Sequence, residues 1–105
     1  MAKCVHLYLS ESDQIGGKPA HEAVVAACRE HRIAGATVFR GLEGYGETGA
    51  MHRPHWIGHD QPIVIVIVDE AEAVARLMPA LERLETGTIA VSDVEVRRVC
   101  RTAGM

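Results

Sequence analysis

The sequence lacks a basic excess: 14 acidic residues against 11 lysines and arginines give a formal net charge of −3. Broad binding to nucleic acid or to an anionic membrane needs a cationic patch that displaces counterions, so neither is expected as a partner, and any anion site has to be local. The three cysteines, Cys4, Cys28 and Cys100, form no CxxC pair and are odd in number. That argues against a disulfide framework and fits a reducing compartment with thiols acting as small buried hydrophobes. No apolar run exceeds six residues, far short of the ~20 that cross a bilayer as a helix, so direct membrane insertion is not expected. No signal pattern precedes the first strand, and a cytoplasmic location is the expectation. The Lys-Ser/Thr of a Walker-type loop is also missing, and no nucleophile, base and orienting group fall at catalytic spacing. Cys28 and His31 are one helical turn apart, but Cys28 lies on an apolar stripe, where a thiol is inert. The chain is therefore read as a non-enzyme.

What is present is a single domain spanning 1–105, with 48% hydrophobic and 24% charged residues, a globular composition. Residues 3–10 alternate, with Val5, Leu7 and Leu9 on one face and Cys4, His6, Tyr8 and Ser10 on the other, which is the period of a strand. A polar turn over 11–17 ends in Gly16-Gly17, and Pro19 falls in the first turn of a helix. Ala20, Ala23, Val24, Ala27 and Cys28 form that helix's apolar stripe, with Gly35 placed to stop the chain after His31-Arg32. A second strand covers 36–40. After a long irregular stretch, residues 63–68 form a third strand, every residue apolar and β-branched. Asp69 and Glu72 together suggest a capping box for a second helix, whose stripe is Val74, Leu77, Met78, Leu81 and Leu84 and which Pro79 should kink. A fourth strand is predicted over 91–99.

The order is βαββαβ, which predicts an α+β, ferredoxin-like fold: a four-stranded antiparallel sheet with two helices on one face and a long loop between strands two and three. Two helices cover one face only, whereas the third strand is apolar on both. The second face therefore calls for burial against copies of the same chain.

The loop opens on four glycines in the nine residues 41–49. Such a density reads either as a slack hairpin connection or as a working loop where backbone approaches a ligand or moves. Loops as long as 43–61 without structure of their own are uncommon in compact domains and are usually functional or disordered.

The strand Leu7-Tyr8-Leu9, the helix start Gly17-Lys18-Pro19, the run from Ala34 through Arg40-Gly41-Leu42-Glu43-Gly44-Tyr45-Gly46, the Ile-Val run into Asp69 and Asp93-Val94-Glu95-Val96 together resemble the PII-like signalling proteins, relatives of the PII nitrogen regulators. The resemblance covers nearly the whole chain. It implies a homotrimer whose sheets line a central barrel, with small-molecule effectors bound in clefts between subunits. In the nitrogen regulators the effector is an adenine nucleotide, held by the base of the T-loop, the B-loop and C-terminal cations. Carried over by motif, the T-loop is 43–61, Gly44-Tyr45-Gly46 stands at its base, and Thr86-Gly87-Thr88-Ile89 resembles a shortened B-loop. The candidate effector-binding residues are Thr37, Arg40, Gly41, Gly44, Tyr45, Gly46, Gly87, Thr88, Arg98 and Arg101, with Arg97 beside them. Arg40 is expected to pair with Glu43 or with an acid across the trimer. The chain departs from the pattern at Glu47-Thr48, where the nitrogen regulators carry Arg-Gln, and at Thr88, near their B-loop lysine. A carboxylate beside a triphosphate repels it, so AMP, ADP or a cyclic nucleotide fits better than ATP, and no cofactor is obligatory. The resemblance further implies an unidentified target protein, a membrane transporter or a metabolic enzyme, engaged by the loop.

A different chemistry competes for the same loop. His52, His55 and His59 are three of six histidines, and their spacing suits a Zn²⁺, Cu²⁺ or Ni²⁺ site that would order the loop on binding. Trimeric CutA-type proteins of this fold are linked to metals. Read so, the chain is a transition-metal sensor or sequestration protein; read blandly, the histidines are exposed polar groups. Trp56 in the loop suggests a contact with a partner.

Overall fold

The computed structural model of the protein describes residues 1–45, 51–52 and 60–99. The chain runs β1 (Ala2–Ser10), β2 (Gln14–Ile15), β3 (Lys18–Pro19), α1 (Ala20–Glu30), β4 (Ala36–Arg40), β5 (Gly44–Tyr45), β6 (Met51–His52), β7 (Pro62–Glu70), α2 (Ala71–Glu82) and β8 (Thr88–Val94). Four strands form one antiparallel sheet in the order β4-β7-β1-β8, the ferredoxin-like plan expected from the sequence. β1 is the spine: it pairs with β7 from Ala2↔Glu70 to Ser10↔Pro62 and with β8 from Ala2↔Val94 to Tyr8↔Thr88.

Period two decides what each face does. Val5, Leu7 and Leu9 of β1 and Ile63, Ile65 and Ile67 of β7 are buried under the stripe Ala20, Val24 and Cys28 of α1 and Val74, Leu77 and Leu81 of α2. Fully burying each Leu or Ile side chain contributes ~1.5–3 kcal/mol, so this single layer carries the domain's stability. On the opposite face, register aligns Cys4, His6 and Tyr8 of β1 with Val68, Val66 and Val64 of β7 and with Ser92, Ala90 and Thr88 of β8. Thr37 and Phe39 of β4 continue it beside Val66 and Val64. Among the described residues no helix covers this face; Phe39 is 54% and Tyr8 46% exposed.

Local structure departs from the sequence reading at four places. The polar turn contains a tight hairpin, β2–β3, closed by Gly16 and Gly17 with φ of 58° and 82°, values suited to a two-residue hairpin turn; Pro19 is the N-cap of α1. α1 stops at His31-Arg32 as expected, but the left-handed position falls on Arg32 (φ 58°) and not on Gly35: Arg32 N donates to Arg29 O at 3.1 Å, while Ile33 N donates to Cys28 O at 2.9 Å. Those two bonds make a Schellman motif with arginine where glycine is usual. Asp69 caps no helix. Glu70 is the N-cap of α2, without a side-chain bond, and Asp69 instead accepts Glu70 N at 2.7 Å and Ala34 N at 2.9 Å, tying the α1–β4 connection to the end of β7. Finally, β8 spans 88–94 rather than 91–99, because its partner β1 begins at Ala2 and offers no rung beyond Val94.

Candidate functional site

One end of the sheet opens into a cleft of about 770 Å³. Its floor is the end of β1 (Tyr8, Leu9, Ser10) and the start of β7 (Pro62, Ile63, Val64). One wall is the chain leaving β4, with Gly41, Glu43, Gly44 and Tyr45; the other is the end of α2 and the turn into β8, with Leu81, Glu82 and Glu85 to Ile89. Two glycines let these walls close on the floor. Gly87 has φ +86°, and a Cβ there would lie 2.6 Å from Tyr8 O and from Leu9 Cδ2. Gly41 donates its N–H to Pro62 O at 2.7 Å, and a Cβ on it would meet the Pro62 ring at 2.7 Å. Gly44 is different: a Cβ would make only ordinary contact at 3.5 Å. Close packing therefore demands glycine at 41 and 87 and leaves position 44 free of that demand.

Of the residues expected at an effector site, Gly41, Gly44, Tyr45, Gly87 and Thr88 line this cleft. Thr37 lies on the helix-free face of the sheet, and Arg40 is engaged elsewhere: its guanidinium pairs with Glu11 at 2.5 Å, not with Glu43. Arg98 is exposed in the segment after β8, and neighbouring Arg97 is held by Glu95 at 2.7 Å. Gly46 and Arg101 fall outside the described residues, as do His55, His59 and Trp56. His52 has a described backbone, which pairs with Gly44 while Met51 pairs with Tyr45. The loop thus holds a two-rung ladder at its base that sequence periodicity did not indicate. Among the described residues no three His, Cys, Asp or Glu side chains converge on a metal position.

Four lining residues are acidic, Asp13, Glu43, Glu82 and Glu85, and among the described residues no lysine or arginine lines the cleft. Asp13 is partly committed, accepting Ser10 N at 2.8 Å. The described part of a single chain therefore surrounds this volume with negative charge. A phosphate-bearing ligand needs cations brought from another chain or from the segment around Arg98. Tyr8, Asp13, Glu82 and Glu85 were not singled out from the sequence. They come from a strand end, a hairpin and a helix end, and no spacing rule links them.

Glu11 fastens the base of the loop. Beyond the pair with Arg40, its Oε1 accepts Gln61 N at 3.4 Å and its own N–H donates to Gln61 O at 2.8 Å; next to it, Ser12 Oγ donates to Asp60 Oδ1 at 2.7 Å. Both feet of the loop, Arg40 and Gln61, thus meet one carboxylate. Elsewhere, Cys28 is buried in the α1 stripe, and burial pushes its thiol above the ordinary value. No helix among the described residues is long and apolar enough to cross a membrane.

Among solved structures, the chain is similar to CPII, a nitrogen regulatory PII-like protein from Thiomonas intermedia K12, whose structure holds ADP, AMP and bicarbonate; the TM-score is 0.72 at 22% identity, covering 92% of this chain and 89% of that one. It is also similar to the divalent cation tolerance protein CutA1 of Thermus thermophilus, with TM-score 0.61 at 17% identity over 93% and 88% of the two chains. These likenesses show the fold. In sequence, it is 32% identical over 96 residues to a UPF0166 protein of Aquifex aeolicus strain VF5, covering 90% of this chain and 91% of the relative. A UPF0166 protein of Methanocaldococcus jannaschii, MJ1524, is 30% identical over 98 residues, covering 90% and 91%. The family model DUF190 (Uncharacterized ACR, COG1993) matches residues 2–96, and the chain accordingly belongs to the DUF190 family, carried on a PII-like, ferredoxin-like fold.

Proposed function

We propose that this protein is a PII-like signal-transduction protein that assembles as a homotrimer and binds ADP or AMP in the clefts between its subunits. The observation that carries the reading is the 770 Å³ cleft in which Gly41, Gly44 and Tyr45, at the foot of the loop, face Gly87 and Thr88 of the α2–β8 turn. The CPII likeness, a structure holding ADP and AMP, supports it. Tyr45 is 75% exposed on the cleft wall and offers a face on which adenine stacks. The carboxylates Asp13, Glu43, Glu82 and Glu85 disfavour highly charged ligands, so ADP and AMP are bound in preference to ATP. The phosphate charge is met by Arg98 and Arg101 of an adjoining copy, which makes assembly a condition of binding. Occupancy biases the loop 43–61 between arrangements that engage or release a target protein in the cytoplasm. No catalytic step is assigned.

The test is calorimetric titration of AMP, ADP, cyclic AMP and ATP into the wild type, Tyr45→Ala and Arg98→Ala. ADP and AMP are expected to bind more tightly than ATP. Loss of one base–aromatic stack, worth ~1–3 kcal/mol, should weaken Tyr45→Ala binding by about ten-fold or more. Adenine-nucleotide binding unaffected by both substitutions would overturn the assignment of the cleft.

A further inference from the structure

We infer that the helix-free face of the sheet carries a thiophilic metal site, for which each chain supplies Cys4 and His6 and a neighbouring copy supplies the rest. This rests on the self-association proposed above, because that association brings a second copy onto this face. Neither residue lines the cleft.

The geometry starts with β1. Cys4 and His6 alternate with the core residues Val5 and Leu7, so both project from the side without helices. Cys4 Sγ is 3.7 Å from His6 Nδ1. A zinc ion bonds thiolate sulfur at about 2.3 Å and imidazole nitrogen at about 2.0–2.1 Å. Both bonds span a 3.7 Å separation when the S–Zn–N angle is about 115°, close to tetrahedral. The separation of the pair is thus one that a single ion can bridge. The imidazole is also held in place, stacked on Tyr8 with ring centroids 6.3 Å apart and planes inclined by 17°. On β8 the residues opposite the pair are small, Ala90 across from His6 and Ser92 across from Cys4. Cys4 is a free thiol, 7% exposed in the single chain, and binding converts it to thiolate, its proton passing to solvent.

Two ligands are half of a closed tetrahedral zinc site. No third His, Cys, Asp or Glu of the same chain joins them among the described residues, so the remaining positions fall to copies packed on this face. Soft thiolate with imidazole selects Zn²⁺ over Mg²⁺ or Ca²⁺, which take oxygen ligands. The proposed role is a metal-dependent fastening of the assembly.

The experiment titrates Zn²⁺ into the metal-free full-length protein against a chromophoric chelator. Wild type is compared with Cys4→Ser, His6→Gln and the triple variant His52→Ala/His55→Ala/His59→Ala, with circular dichroism confirming that each folds. Cys4→Ser and His6→Gln should each weaken Zn²⁺ binding by more than about ten-fold, as loss of a ligand does, and should abolish the thiolate-to-metal charge-transfer band that Co²⁺ gives with wild type. The triple variant should keep both. Binding unchanged in Cys4→Ser and His6→Gln, or lost only in the triple variant, would overturn the site and reduce the contact to an S–H···N hydrogen bond. ADP titration of the same proteins separates the two proposals. Zinc binding that depends on Cys4 and His6, without ADP binding, upholds this site against the nucleotide reading; ADP binding without zinc binding overturns this site alone.

Discussion

Arg32 is the residue at which chain geometry and side-chain preference disagree most plainly. It takes φ 58° at the C′ position of α1, where the left-handed conformation costs a β-carbon-bearing residue roughly 1–2 kcal/mol. Its own bond to Arg29 O and the Ile33 bond to Cys28 O are backbone bonds that glycine makes equally well. Arg32→Gly should therefore raise stability by about 0.5–1 kcal/mol, read as a higher urea midpoint with unchanged slope; a lower midpoint would show that the arginine side chain contributes more than its backbone costs. Cys28 gives a pH-dependent counterpart. Burial raises its thiol pKa in the folded state, so its contribution to stability is complete below the unfolded thiol's pKa, about 8.5, and declines as pH rises past it. At pH 8 iodoacetamide should leave Cys28 unmodified in the native protein and modify it in urea, as peptide mapping would show. Modification at equal rates would contradict a closed core. The sequence made the burial of Cys28 legible, because helical spacing alone puts it in the stripe. It hid the role of Arg32, because Gly35 is the residue that local preference marks for the left-handed position.

Elements with a strict period were the readable ones. β1 alternates, β7 is apolar from Ile63 to Val68, and α1 and α2 carry stripes, so four of the main elements are recoverable from spacing. β8 was misplaced because its limits are set by pairing with β1 rather than by its own residues. The cleft was legible in part. Gly87 and Thr88 were marked by resemblance, whereas Glu82 and Glu85 belong to the end of α2 and enter the wall only when the turn folds back over Tyr8 and Leu9. Arg40 found its partner in Glu11, 29 residues earlier, a pairing no local pattern announces. α2 also holds an untapped margin. Pro79 is exposed within the helix and withholds a hydrogen bond from the preceding turn, an arrangement up to ~3 kcal/mol less favourable than alanine. Pro79→Ala is expected to raise the urea midpoint by the equivalent of about 1–3 kcal/mol. An unchanged or lower midpoint would mean that proline's restriction of the unfolded chain outweighs the missing bond.

At the scale of the whole molecule, one side of the sheet is finished and the other is not. The finished side holds the aliphatic core; the other presents Phe39, Tyr8 and the half-buried valines of β7, with β4 and β8 as the edge strands. Phe39→Asp places a charge on that face without touching the core. If the face joins the copies of the trimer, light scattering should show a shift from trimer to monomer, accompanied by loss of ADP binding, since the cleft would be deprived of its cations. A variant that remains trimeric would move the interface elsewhere.

The Glu11 clasp has a mechanical consequence. Because the carboxylate that holds Arg40 also accepts the N–H of Gln61, the span between the loop's two roots is set by the β1–β2 corner and not by whatever the loop holds. Should the loop act as the switch proposed above, any change in that span has to break the Glu11 contacts first.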